Sequence, residues 1–163
     1  MHCGCGEQAT VISGDYLFVE SGLTNVTLHG VELLKCDNCG TLTPVLSKIN
    51  NLMQVIAEAL VLKPSQLTGK EIRFLRKYIG FTGERFGKKL GLTKEHVSRI
   101  ENEKHPVGAQ TDRLIRYLAV SASSNLASLM ERLFERLETI NDEPLQERIE
   151  INLATGSVAY AAA

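Results

Sequence analysis

Three threonines between Thr68 and Glu103 each stand at the head of a short apolar pattern, and this run constrains the fold more than any other stretch of the chain. Thr68-Gly69-Lys70-Glu71 has the spacing of a capping box, in which the threonine hydroxyl and the glutamate carboxylate each satisfy a backbone amide of the other residue. It predicts a helix with Ile72, Leu75 and Ile79 inward, closed at Gly80. Thr82 heads a second helix that ends at Leu90-Gly91, and Thr93 heads a third that runs to about Glu103. Pro106 and Gly108 mark a loop. Asp112 to Ala122 form a fourth helix with Leu114, Ile115 and Leu118 inward.

Charge singles out the same region. The chain of 163 residues has a net charge of −1, which by itself points away from a polyanion. Residues 63–118, however, carry 13 Lys/Arg against 6 Asp/Glu, net +7, while 1–62 and 119–163 are each −4. Only the middle third suits nucleic acid; the plainer reading is a solvated basic face.

All four cysteines lie in the first 39 residues, as Cys3-x-Cys5 and Cys36-x-x-Cys39. Between the pairs, Ala9 to Ile12, Asp15 to Glu20 and Thr24 to Lys35 are rich in Val, Leu, Thr and aromatics, with Gly14, Gly22 and Gly30 between them. That pattern reads as short strands and turns. Two such cysteine pairs most often hold a tetrahedral zinc, and a region this short gains from a metal what its small core lacks. Two disulfides, a rubredoxin-like iron site and plain core cysteines are the alternatives. A disulfide framework sits poorly with the cytoplasmic location that the absence of an N-terminal basic and apolar signal suggests. Four thiolates close the coordination sphere, so such a zinc is structural, not catalytic. His2 adjoins the first pair as a bystander.

After Pro44, residues Ser47 to Leu62 place Ile49, Leu52, Met53, Ile56, Ala59 and Leu60 at helical spacing, and Pro64 ends the pattern. Near the other end, Leu126, Leu129, Leu133, Leu137 and Ile140 make one stripe on a helix from about Ser124 to Ile140. This stripe is either a dimer seam or a cover for the core. Asn141 to Pro144 breaks the helix. Leu145 to Leu153 reads as a short helix or a strand, and Ala159 to Ala163 as a frayed tail. The longest apolar stretch, Val55 to Leu62, is too short to span a membrane and holds Glu58.

The stretch from Leu67 to Glu103 resembles the Cro/repressor (XRE) family of helix-turn-helix domains. Gly87 takes the small-residue position where two helices touch, Gly91 the turn, and Leu92, Val97 and Ile100 the packing positions of a recognition helix. Such a helix enters the major groove. Lys94, Glu95, His96, Ser98 and Arg99 then face outward, with Arg99 suited to a guanine edge and Glu95 to a cytosine amino group or to holding Arg99. Thr82 and Thr93 suit phosphate oxygens, though each would cap a helix in any protein. Lys88, Lys89, Lys94 and Lys104 add non-specific attraction. Glu101 reads as a structural partner of Arg76. Arg73, Arg113 and Arg116 read as a solvated face.

Cys36-Asp37-Asn38-Cys39-Gly40, Leu67 to Arg76 and Thr111 to Arg116 together resemble the MqsA/YgiT-type zinc-finger antitoxins over roughly residues 1–120. The resemblance implies a homodimer that represses its operon through operator DNA and holds a ribonuclease toxin through a zinc domain. The first pair departs from it in being Cys-x-Cys, as do the spacer helix and the extra C-terminal 40 residues or so. The fold expected is mainly α: a β-rich zinc module over 1–45, a linker helix over 46–66, a five-helix domain over 67–122, and a C-terminal helix and tail over 123–163. No nucleophile–base pair, phosphate loop or open metal site suggests an enzyme.

Overall fold

The computed structural model describes residues 2–143, 145 and 147–162. Strands β1 (Ala9–Leu17) and β2 (Val26–Cys36) form an antiparallel hairpin, with Ala9 opposite Cys36 and Leu17 opposite Thr27. Gly14 faces Val31 but Tyr16 faces Leu28, so β2 carries one extra residue there. Gly30, at φ 71°, supplies the bulge. The extra residue resets the alternation, and Val26 and Leu28 before it share burial with Val31 and Leu33 after it.

Strand β3 (Leu42–Pro44) returns alongside Leu33–Lys35 of β2. Helices α1 (Ile49–Val61), α2 (Gly69–Tyr78), α3 (Gly83–Leu90), α4 (Lys94–Glu101) and α5 (Ala109–Ala122) follow. A 3-10 segment, Ser124–Leu129, leads into α6 (Met130–Leu137). Two more strands close the chain, β4 (Glu147–Asn152) and β5 (Val158–Ala162). β4 lies parallel to β2, with Val26 opposite Ile149 and His29 opposite Asn152, and β5 lies antiparallel to β4. The sheet order is β1-β2-β4-β5, with β3 sharing the edge of β2 that β4 also uses.

This overturns the mainly α expectation. Six helices pack with one mixed five-stranded sheet, drawn from both ends of the chain, in place of a five-helix fold with a small β module and a helical extension. The C-terminal segment is a β-hairpin whose Ile149 and Ile151 are fully buried, so its alternation was that of a strand. The supposed frayed tail is β5 as far as Ala162, and Tyr160 donates its hydroxyl to the Ala59 carbonyl at 2.6 Å. Pro144, part of the expected break, and Ala163 lie outside the described residues.

The stripe on 126–140 turns inward: Leu126, Leu129, Leu133 and Ile140 are buried within the chain. It covers the core and is not a dimer seam. Its first part is also 3-10, not α.

Beneath the apolar core lies a buried polar belt. Arg116, read as a surface cation, is fully buried. It donates to Asp112 and to the carbonyls of Val61, Lys63 and Ser65, while Asp112 also accepts from the Leu67 amide. Lys63 meets Glu71 at 2.9 Å, and Asn25 donates to Glu71 and to the Glu147 carbonyl. The belt therefore ties the α1–α2 connection to α5, and the β1–β2 hairpin to β4. Among the described residues no buried side-chain nitrogen or oxygen lacks a partner, as low-dielectric burial demands. Arg113 is only half-buried and pairs with Asp142, whereas Arg73 is exposed. Among the described residues no helix is long and apolar enough to cross a membrane.

Candidate functional site

Two tight turns bring the cysteines together. The Cys3 amide donates to the Glu7 carbonyl and the Gly6 amide to the Cys3 carbonyl, with Gly6 at φ 91°. At the other turn the Gly40 amide donates to the Cys36 carbonyl, with Gly40 at φ 70°. The hairpin register does the rest, because Ala9 beside Cys36 sets one turn against the other. Cys3 and Cys39 sulfurs lie 3.5 Å apart, Cys5 and Cys36 3.6 Å, and all four lie within 4.8 Å of one another.

Those spacings answer the disulfide alternative. A disulfide needs about 2.05 Å between sulfurs, and all four cysteines are free. A tetrahedral ion with bonds of about 2.3 Å holds its sulfurs about 3.8 Å apart. The cluster fits that shape, and these four residues could bind a metal ion.

Neighbouring amides, the Thr41 hydroxyl and the thiols themselves split the acidities of Cys3, Cys5 and Cys39. The Thr41 side chain, 3.1 Å away, and the Thr41 amide pull Cys39 down to about 6. The Glu7 amide lowers Cys5. At Cys3 the Cys5 amide pulls downward, but the thiols of Cys39 and Cys5 outweigh it and push the group up to about 12. Thiols this close cannot all ionise alone; a cation bound among them would replace the protons.

The basic segment builds a second feature. Thr68, Thr82 and Thr93 cap α2, α3 and α4 by accepting from the amides of Glu71, Arg85 and His96, and Thr68 with Glu71 completes a capping box. Gly91 turns the chain from α3 to α4 at φ 69°. A Cβ on Gly87 would sit 2.6 Å from the Leu92 carbonyl oxygen, so only glycine lets the start of α4 lie this close to α3. A Cβ on Gly69 would run into the Ile100 carbonyl in the same way. Val97 and Ile100 are buried beneath. Arg76 grips both carboxylate oxygens of Glu101 and also donates to the Phe81 carbonyl, so Glu101 is structural.

Lys94, Glu95, Ser98 and Arg99 are exposed on α4. Among the described residues no ion pair joins Glu95 to Arg99. His96 is half-covered, with its ring 4.6 Å from that of His105, a contact between a helix and the loop after it that no local spacing announces. Lys88 pairs with Glu84 at 2.7 Å on α3, while Lys89 and Lys104 are exposed with no ion pair among the described residues. Thr82 and Thr93 spend a lone pair on their caps and keep an O–H to donate. The cysteines and the α3–α4 face are separate features. No family model, curated protein or solved structure matches the chain.

Proposed function

We propose that this protein is a sequence-specific DNA-binding transcriptional regulator, a cytoplasmic repressor of the zinc-finger and helix-turn-helix antitoxin type, with a structural Zn²⁺ on Cys3, Cys5, Cys36 and Cys39. One observation carries the reading. The close approach of Gly87 to Leu92 fixes α4 against α3 and leaves Lys94, Glu95, Ser98 and Arg99 exposed on one short helix, within a segment of net charge +7. Arg99 and Glu95 are the base-reading residues. Thr82, Thr93, Lys88, Lys89, Lys94 and Lys104 meet phosphates, and His96 and Ser98 flank the readers.

Operator half-sites call for a homodimer. Because the 126–140 stripe is internal, that dimer uses some other surface. Zinc is favoured over iron because the site asks only for closure of a small module; metal analysis distinguishes them, since iron–thiolate protein is coloured.

Selection of bound duplexes from a random pool, followed by anisotropy titrations, tests the reading. Arg99→Ala is expected to lose about 1–3 kcal/mol at one base position. Lys89→Ala weakens all sequences alike and lowers the salt slope by about 1. A protein that selects no sequence, or an Arg99→Ala variant that selects the same one with equal affinity, overturns it.

A second reading has the zinc end hold a ribonuclease toxin. It is supported by the exposure of Val11, Ile12 and Leu42 around the cysteine turns. Capture of a ribonuclease by the full chain, lost on Val11→Asp, is the outcome that reading requires.

A further inference from the structure

A cleft of about 330 Å³ lies between the turn at Ser21-Gly22, the exposed side of α2 and the C-terminal end of α4. It sits at the opposite end of α4 from the Thr93 cap, away from Glu95, and it forms no part of the cysteine site. Lys70, Arg73 and Lys77 line it. Spacings of three and four residues put all three on one face of α2. All three are exposed, and among the described residues none is in an ion pair.

Some helix cations elsewhere in the chain are paired, as Lys88 is with Glu84 and Arg113 with Asp142. Along α2 the acid in the first turn, Glu71, is fully buried and spent on Lys63 and the Thr68 cap. Glu101 also borders the cleft, but Arg76 occupies both of its oxygens. Among the described residues Glu103 is the one lining acid without a partner, against three cations. The neutral polar groups are engaged as well: the Ser21 hydroxyl donates to the Phe18 carbonyl, the Gly22 amide to the Val19 carbonyl and the Asn102 amide to the Ser98 carbonyl. What remains is two ammonium groups and a guanidinium against the single Glu103 carboxylate, a net excess of positive charge around a hollow walled by Phe74, whose low-polarity surface strengthens attraction to an anion.

We propose that this cleft binds a phosphate group. Three cations lining one cleft suit an oxyanion carrying more than one negative charge or a chain of phosphodiesters, and Arg73 supplies the fork that fits two phosphate oxygens. The phosphate belongs either to a free phosphorylated compound or to a nucleic-acid backbone passing the end of α4. The site does not require the base-reading roles of Glu95 and Arg99.

The test is a ¹H–¹⁵N titration of the full chain with sodium phosphate, with sodium chloride at matched ionic strength as control. Saturable shifts at Ser21–Leu23 and Lys70–Lys77, at least tenfold weaker in an Arg73→Gln/Lys77→Gln double variant, are the expected result. Shifts that chloride reproduces, or an unchanged affinity in the double variant, overturn the proposal. A short non-specific duplex distinguishes the sources. If it moves the same amides and phosphate competes, the site takes nucleic-acid backbone; if phosphate alone moves them, it takes a free phosphate compound. Loss of sequence selection in Arg99→Ala with the phosphate response intact leaves the cleft standing, and the converse leaves the DNA reading standing.

Discussion

The two ends of β2 differ in what surrounds them. At the Val26 end the strand lies between β1 and β4, with Val26 and Leu28 fully buried. At the Cys36 end its second neighbour is the three-residue β3, and Val11, Ile12 and Leu42 nearby are 60%, 39% and 44% exposed. The first end is held by apolar burial and a satisfied polar belt. The second leaves more of its apolar side chains uncovered and gathers four thiols. A metal bound at that end would do what burial does at the other.

Stripping a bound metal should separate the two ends most sharply. Chelation of the metal-loaded protein is expected to abolish amide protection in Ala9–Ser13 and Leu33–Cys36, while Val26–His29 and the helices keep theirs. The bulge at Gly30 marks the border. Hydrogen exchange reads the outcome, and a chelator that unfolds α1–α6 would show the two ends to be one unit. Acid acts in the same direction: metal binding needs thiolates, so occupancy falls as pH drops.

Cutting the other end should be global. Arg116→Ala leaves Asp112 and three carbonyls facing an empty site, at about 3–5 kcal/mol. Urea unfolding is expected to shift as a single transition, with the metal still bound just below it. Gly87→Val drives a side chain into the Leu92 carbonyl and costs about 1–3 kcal/mol, felt in the helices and not in metal affinity. The smallest effect is Tyr160→Phe, at about 1 kcal/mol for the lost bond to Ala59. Burial, first of all, raises the Tyr160 phenol from 10.0 to about 12. The folded state holds that proton more tightly than the unfolded chain, so its contribution is complete below pH 10 and is lost as pH rises through about 12. Absorbance titration of wild type against the variant measures it.

The helices of 67–122 were legible because their signals are local, although α5 starts at Ala109 rather than Asp112 and Leu114, expected inward, is 42% exposed. A threonine cap and the amide three residues on declare themselves within one turn, and Gly87 and Gly91 sit beside the contacts they permit. The cysteine spacing likewise named the four residues that meet. The sheet was not legible, because the partner of Ile149 is Val26, at the far end of the chain. Alternation at Ile149 and Ile151 signalled a half-buried strand without naming what it pairs with, and a helix remained open. Arg116 misled for a related reason: the carbonyls that bury it come from Val61, Lys63 and Ser65, and nothing near Arg116 announces them. The cleft at Lys70, Arg73 and Lys77 needs the Ser21-Gly22 turn, again remote in sequence.

The parallel pairing of β2 with β4 also sets an order of events. A ribosome delivers β2 about 120 residues before the strand that completes its Val26 end. Helices α2 to α5, closed by neighbours in sequence, can form in that interval, whereas the sheet waits on a long loop closure. Until then the Val26–His29 stretch of one edge of β2 is a bare row of amides and carbonyls, the feature that invites pairing between chains. Premature stops after α6 would therefore damage the beginning of the protein, leaving a folded helical middle attached to a sticky, half-built sheet.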